Sequence, residues 1–261
     1  MGIHSDKHLH SDIHCITKDI VKKMLSMNRL LEKSHVKNFV NKIIYSKYFL
    51  TNENAYHNLQ HTFEVFQMST YLLKRYPRNH FTRSQRTLVQ IAALCHDYGH
   101  NGVPNSQWNV EDIHKQQRAM IRNDSDLSDI ILACATNSSV HSENSSNEIT
   151  SYNELMHIEK TISLIMKYKN VFFPRDSSFY VKSVISTLIL ATDLSQHRIY
   201  MNMFNTEYDT MADMILIIKL ADISHSLRPF KVHLYWVYKL RIESNNTETP
   251  DVEYMAYDTI E

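Results

Sequence analysis

Glycine is scarce in this chain, 3 residues in 261, and proline adds only 5 more. So few backbone breakers leave little room for the tight turns of a many-stranded β architecture and favour long helices. Cysteine is scarce too. Cys15, Cys95 and Cys134 form an odd set without framework spacing, which excludes a disulfide scaffold and suits small thiols in a reduced, intracellular protein. Net charge is absent, because 28 Lys and Arg balance 28 Asp and Glu. Nothing in the overall charge therefore draws the chain to nucleic acid or a membrane surface. Long apolar runs are missing as well. The best stretches, Val181 to Leu194 and Met211 to Ile223, are broken by polar residues and read as buried helices, not membrane spans. The N-terminus has no apolar signal-peptide core. It begins Met1-Gly2, but Asp6 stands where a myristoylation signal needs Ser or Thr. The expectation is a cytoplasmic chain without a membrane span.

What is present is helical periodicity. Apolar residues recur at helical spacing in Val36 to Tyr48 and in Thr62 to Lys74, where Phe63, Phe66, Tyr71, Leu72 and Leu73 form a wide apolar face. Ser84 can cap a helix through Leu88, Ile91, Ala92, Leu94 and Cys95 that delivers His96 and Asp97 at its end. The pattern returns at Glu154 to Tyr168, Ser178 to Ser195, Tyr208 to Ser224 and Phe230 to Arg241. No strand alternation and no internal repeat stand out, so the fold class is all-α. The expected organisation is a polar, His-rich tail or first helix over 1–30, a domain over 31–243 and an irregular tail over 244–261. Within the domain, 106–150 has the Ser- and Asn-rich composition of a surface insert, with a helix expected around Asp126 to Ala135.

Histidine is abundant, with 16 residues. His4, His8, His10 and His14 crowd the polar N-terminus, where weak and adventitious metal binding is the most they suggest. Two other segments are different in kind: Tyr56-His57-Asn58-Leu59-Gln60-His61 and His96-Asp97-Tyr98-Gly99-His100. Each sets two histidines four residues apart, hence on one face of a helix, and the second adds a carboxylate. Imidazole and carboxylate are the ligands that divalent metals take from proteins. A carboxylate between two such sets can bridge two ions, an arrangement that supports in-line attack on phosphorus.

These segments resemble the catalytic domain of the class I cyclic nucleotide phosphodiesterases. Three further segments follow in the family's order: Ser151-x-x-Glu154-x-x-His157, Ala191-Thr192-Asp193-Leu194-Ser195-x-His197, and Lys219-x-x-Asp222-Ile223-Ser224-His225. Trp236 lies at the family's distance beyond them. Such a resemblance implies a compact multi-helix domain around a two-metal site. It implies that His61, His96, Asp97 and Asp222 hold one tight ion, usually zinc. Asp97 would bridge to a second ion, magnesium or manganese. It implies a metal-bridging hydroxide as the nucleophile, with His57 as the general acid. His100, Glu154 and Thr192 would hydrogen-bond water and orient the ligands, while Tyr56, His57, Asp97, Asp222 and His225 would face the nucleotide. The implied substrate is cAMP or cGMP, and a homodimer is compatible with the resemblance.

The sequence also departs from the family's pattern. Glu64 stands where Asp is usual, and Asn101 replaces the proline after His100. The resemblance implies a glutamine that binds the purine base and a phenylalanine that clamps it. Glu243 matches the glutamate that opens the family's next segment, but Thr247 takes the glutamine position there, and residues 248–261 hold neither Gln nor Phe. The expectation is a shortened C-terminal end with weak affinity or selectivity for the base. Two rival readings follow: a metal-binding homologue of little or no activity that serves as a regulatory partner, and a His-Asp hydrolase of another phosphoester.

Overall fold

The computed structural model describes residues 3–50, 54–109, 151–197 and 209–244, with residues 111, 115, 118 and 200; for residues 3–11 only the backbone is described. Among the described residues every regular element is helical, as the scarcity of glycine and proline led one to expect. The helices are α1 (Ile3–Met27), α2 (Lys33–Ile44), α3 (Lys47–Leu50), α4 (Leu59–Arg75) and α5 (Arg83–Cys95), followed by α6 (Tyr152–Ile165), α7 (Lys169–Phe172), α8 (Ser178–Leu190), α9 (Thr210–Asp222) and α10 (Phe230–Glu243).

Helix α5 is the axis of the fold. Every residue from Arg86 to Cys95 is buried, which a helix achieves only when neighbours cover all of its faces. Those neighbours are α1, α4, α8 and α9. Three polar side chains lie in this buried stretch, Arg86, Thr87 and Gln90, and two of them bond across helix contacts: Gln90 Nε2 donates to Thr70 Oγ1 at 3.0 Å, and Asn28 Nδ2 donates to Thr87 Oγ1 at 3.2 Å. Of the two expectations for residues 1–30, the structure shows the helix. Ile13, Ile20, Val21 and Met24 of α1 lie in the same core as α5. His14 is exposed, and the side chains of His4, His8 and His10 lie outside the described residues.

Two local readings are corrected. Thr82, not Ser84, caps α5. Its hydroxyl accepts from Gln85 N at 3.1 Å while Gln85 Oε1 accepts from Thr82 N at 2.8 Å, a reciprocal capping box. Ser84 sits inside the helix and donates to Asp176 at 2.5 Å. On α4, Tyr71 is half exposed and lies beneath the Arg75 guanidinium, 4.7 Å from its ring centroid. Ser69 and Thr70 take the inward places, which is possible because each hydroxyl has a hydrogen-bond partner. Most of the 106–150 insert, including the helix expected at 126–135, and residues 245–261 lie outside the described residues. The start of the insert is anchored: Trp108 packs on Tyr152 and its Nε1 donates to Asn153 Oδ1 at 3.1 Å.

Candidate metal centre

Three helix termini converge on one point. Asn58 caps α4, its side chain accepting from Gln60 N and His61 N, and this cap fixes the first turn that carries His61. At the C-terminal end of α5 the chain leaves the helix at His96. Two tight turns follow, closed by Tyr98 N to Cys95 O at 3.0 Å and His100 N to Asp97 O at 3.0 Å. Gly99 makes them possible with φ of +93°, a conformation that side chains oppose. A Cβ there would also collide with the Lys160 side chain. Helix α9 ends on Asp222.

The result is a cluster of His61, His96, Asp97 and Asp222. His61 Nε2 lies 3.3 Å from His96 Nε2 and 3.1 Å from Asp222 Oδ1. Asp97 Oδ2 lies 2.9 Å from His96 Nε2 and 3.5 Å from His61 Nε2. His96 Nδ1 donates to the Ala93 carbonyl at 3.0 Å, so that nitrogen carries the proton and Nε2 turns a lone pair inward. Asp97 Oδ2 is buried and accepts no hydrogen bond despite these neighbours. A buried carboxylate oxygen left so is costly unless a cation serves it. His61, His96 and Asp222 offer ligand atoms within 4.8 Å of one another, and with Asp97 beside His96 and His61 these imidazoles and carboxylates fit a divalent ion. The protonation chemistry expresses the same demand. Burial disfavours an imidazolium at His96, yet Asp97 and Asp222 outweigh it and hold its pKa well above the usual range. The Asp97 and Asp222 carboxyls are correspondingly depressed, against their own burial, Asp97 chiefly by the His96 charge and Asp222 by hydrogen bonds from His61 and His96.

Beside this cluster sits a second group, His57, His100 and Glu243. Glu243 Oε2 accepts from Tyr56 N at 2.7 Å and from His57 N at 3.0 Å, while Oε1 pairs with His57 Nδ1. One carboxylate from the end of α10 therefore fixes both the backbone and the ring of His57. Burial would lower the His57 pKa, but the charge of Asp97 and then the Glu243 hydrogen bond raise it. The ring stacks on His100, with centroids 3.9 Å apart and planes inclined by 14°. Gly102 N donates to His100 Nδ1 at 2.9 Å. Burial first and the neighbouring His57 second push the His100 pKa down to about 4.

The contacts of the other residues picked from the sequence are as follows. Tyr56 is buried with its ring 4.5 Å from His61 and 5.4 Å from Trp236, and Trp236 Nε1 donates to Glu64 Oε2 at 3.2 Å. His225 stands near Tyr56, 6.2 Å between centroids, and stacks on His233 with facing Nδ1 atoms 3.0 Å apart. Glu154 accepts from Asn105 Nδ2 at 2.9 Å, and burial followed by the Asp193 charge raises its pKa to about 7. Thr192 donates its hydroxyl to the Ile189 carbonyl at 2.7 Å. Asp193 accepts from Ser151 Oγ and from Ser195 N, linking two motifs that are far apart in sequence.

Sequence reasoning assigned no role to Glu243, although its motif position was visible. It also missed Asn54, whose Nδ2 donates to the carbonyls of His57 at 3.2 Å and His100 at 3.1 Å, bracing the two stacked rings from behind. Nothing in its immediate sequence marks Asn54 for that task.

Comparison with known proteins agrees with this geometry. The family model described as 3′5′-cyclic nucleotide phosphodiesterase matches residues 56–126 and 134–253. The 3′,5′-cyclic-nucleotide phosphodiesterase 2 of Saccharomyces cerevisiae is 29% identical over 212 residues, covering 78% of this chain and 33% of the relative. The human high affinity cGMP-specific 3′,5′-cyclic phosphodiesterase 9A is 27% identical over 198 residues, covering 70% of this chain and 28% of the relative. The chain thus spans about a third of the length of these curated relatives. In fold it is similar to the crystal structure of the phosphodiesterase domain of a RhoPDE fusion protein from the choanoflagellate Salpingoeca rosetta. That likeness has a TM-score of 0.63 at 20% identity and covers 94% of this chain and 72% of the other. With the family model matching well over half of its residues, the chain belongs to the 3′,5′-cyclic nucleotide phosphodiesterase family.

Proposed function

We propose that this chain hydrolyses the cyclic phosphodiester of a 3′,5′-cyclic purine nucleotide, cAMP or cGMP, to the 5′-monophosphate. The observation that carries the reading is the pairing of two groups. His61, His96 and Asp222 gather their ligand atoms beside an orphaned carboxylate oxygen of Asp97, and a histidine held by its own carboxylate stands next to them. His61, His96, Asp97 and Asp222 would hold a zinc ion, with Asp97 also reaching a magnesium or manganese ion. Bound divalent ions lower the pKa of coordinated water and neutralise phosphate charge.

The protein's own part is orientation and proton transfer. Glu243 ties His57 through Nδ1, which leaves Nε2 to deliver a proton. As the oxygen of a water that has released one proton to solvent bonds to phosphorus and the bond from phosphorus to O3′ breaks, His57 gives its proton to O3′, and the ribose hydroxyl forms without passing through a free alkoxide. Tyr56, buried against His61 and Trp236, keeps the first turn of α4 in register. His225 and the rim near Tyr56 would face the nucleotide. The human relative's name specifies cGMP, which makes cGMP the first substrate to test alongside cAMP.

The test is metal analysis of the purified protein with cAMP and cGMP hydrolysis by wild type, Asp222→Ala and His57→Ala. Asp222→Ala should lose the tight ion and all turnover. His57→Ala should keep the ion and turn over more slowly by roughly a hundredfold or more. A wild type that binds zinc and hydrolyses neither nucleotide would sink the enzymatic reading in favour of a metal-binding regulatory homologue. A wild type that binds no metal would sink both.

A further inference from the structure

At the opposite end of the α4 and α5 pair a cleft of about 630 Å³ opens between the ends of α1 and α4 and the start of α5. It is distant from the candidate metal centre. Lys74 lies 13 residues along α4 from His61 and Arg83 lies 13 residues along α5 before His96, about 20 Å in each case. Five of the nine residues that line it are cationic, Arg29, Lys74, Arg78, Arg83 and Arg86, and none is acidic. This is a local concentration in a chain whose charges cancel overall. Residues 65–96 contain no Asp or Glu at all.

The cations are arranged in two tiers. Arg86 is buried at the base, where its guanidinium donates to the carbonyls of Leu73 at 2.9 Å, Pro77 at 3.0 Å and Arg78 at 3.3 Å. Those bonds go to neutral carbonyls and leave its charge uncompensated. Arg29, Lys74, Arg78 and Arg83 are exposed at the rim, and none has a carboxylate within ion-pair distance among the described residues. Acids of the neighbouring segments are engaged elsewhere: Asp213 accepts from Tyr76 Oη at 3.2 Å and pairs with His80 at 2.7 Å, Asp176 accepts from Ser84, and Glu32 accepts from Ser34 and pairs with His35. Helix α5 adds a second and independent sign. Its first turn has no acidic residue and instead begins with Arg83, against the positive end of the helix dipole. A cation there is unfavourable in the bare helix and is offset by an anion seated on the same turn.

We propose that this cleft binds a small polyphosphorylated ligand whose phosphates are taken by Arg29, Lys74, Arg78 and Arg83 above Arg86. Its volume lies within the range of small-molecule sites. Several guanidinium groups without carboxylate partners suit several phosphates, since each can grip phosphate oxygens through two parallel hydrogen bonds. A free polyphosphate and the headgroup of a phosphoinositide share this chemistry.

The experiment titrates the full chain with inositol hexakisphosphate by calorimetry at physiological ionic strength. In parallel, the chain is sedimented with vesicles containing phosphatidylinositol bisphosphate. Three proteins are compared: wild type, Arg78→Gln with Arg83→Gln in the cleft, and Lys33→Gln with Lys37→Gln on the exposed face of α2. The two double variants remove equal charge, and Arg86 is left in place because it ties α4 to α5. The expected result is saturable binding that weakens by about tenfold or more in the cleft variant, as loss of charge-assisted bonds predicts. The α2 variant should bind as wild type does, with the thermal midpoint unchanged in both. Binding to the free probe alone identifies a soluble ligand, and vesicle binding displaced by the probe identifies a lipid headgroup; either supports the site. Equal weakening by the two variants, or no saturable binding of either probe, overturns it.

Discussion

Glu243→Gln is the sharpest single perturbation the structure offers. The carboxylate accepts two backbone N–H bonds, from Tyr56 and His57, and pairs with His57 Nδ1. Glutamine keeps the shape but loses the charge, and its amide can accept through one atom only. A hydrogen bond to a charged group contributes about 1.5–3 kcal/mol. If His57 is the proton donor, Glu243 keeps its ring protonated and aimed, so its loss appears in kcat as a drop of roughly 10- to 100-fold. KM should change little. The pH profile carries a second signature. Asp97 and Glu243 together hold the His57 pKa up against burial. Without Glu243 it falls, so the limb on which activity declines with rising pH moves to lower pH. Steady-state hydrolysis of cAMP and cGMP between about pH 6 and 9, with zinc content measured on the same samples, reads both effects. A variant within threefold of wild type across that range, or a loss that tracks lost zinc, would refute the assignment of Glu243 as the residue that positions the acid.

Three further outcomes follow from other parts of the molecule. Glu154 has a folded-state pKa raised from 4.5 to about 7 by burial and Asp193. The folded state therefore binds its proton more tightly, and this contribution is full below pH 4.5 and lost as pH rises through about 7. Glu154→Gln should thus gain about 3 kcal/mol over wild type at pH 8 and under about 0.5 kcal/mol at pH 4.5, measured by urea unfolding in chelator; an equal difference at both pH values would count against it. Gly99→Ala combines a positive φ with a Cβ that collides with Lys160. It should cost about 1–3 kcal/mol, or roughly 2–4 °C of melting temperature per kcal/mol, and an unchanged midpoint would show that the turn relaxes freely. Trp236 is buried against Tyr56 and His61, so Trp236→Ala should cost about 3–5 kcal/mol in calorimetry, and a loss under 1 kcal/mol would show that this wall carries little.

The helices and the ligand residues were legible because their signals are local. Helical periodicity survives in any window of a dozen residues, and His57, His61, His96 and Asp97 sit in short motifs with helical spacing, while Asp222 was singled out by the family resemblance alone. What escaped was set by contacts across the fold. Glu243 meets Tyr56 across 187 residues of sequence, and Asn54 meets His100 across 46. The choice of Ser84 as a cap failed for a different reason. A hydroxyl near the start of an apolar run is a weak sign, whereas Thr82 with Gln85 three residues on is a reciprocal pair, and Asp176, remote in sequence, engages Ser84. Tyr71 read as interior by hydrophobicity alone. The core took Ser69 and Thr70 in that turn because their hydroxyls could be satisfied within it.

The stack of His57 on His100 has a consequence for how many protons the site can hold. Two unit charges 3.9 Å apart repel by about 4 kcal/mol at an effective dielectric constant near 20, which corresponds to roughly three pH units. The two rings therefore behave as a pair that accepts one proton and refuses the second. Glu243 touches the His57 ring through Nδ1, while a backbone N–H occupies the matching nitrogen of His100, so the single proton has one address. Whenever the pair carries its proton, that charge sits on the His57 ring, and the neighbouring imidazole enforces the placement by exclusion.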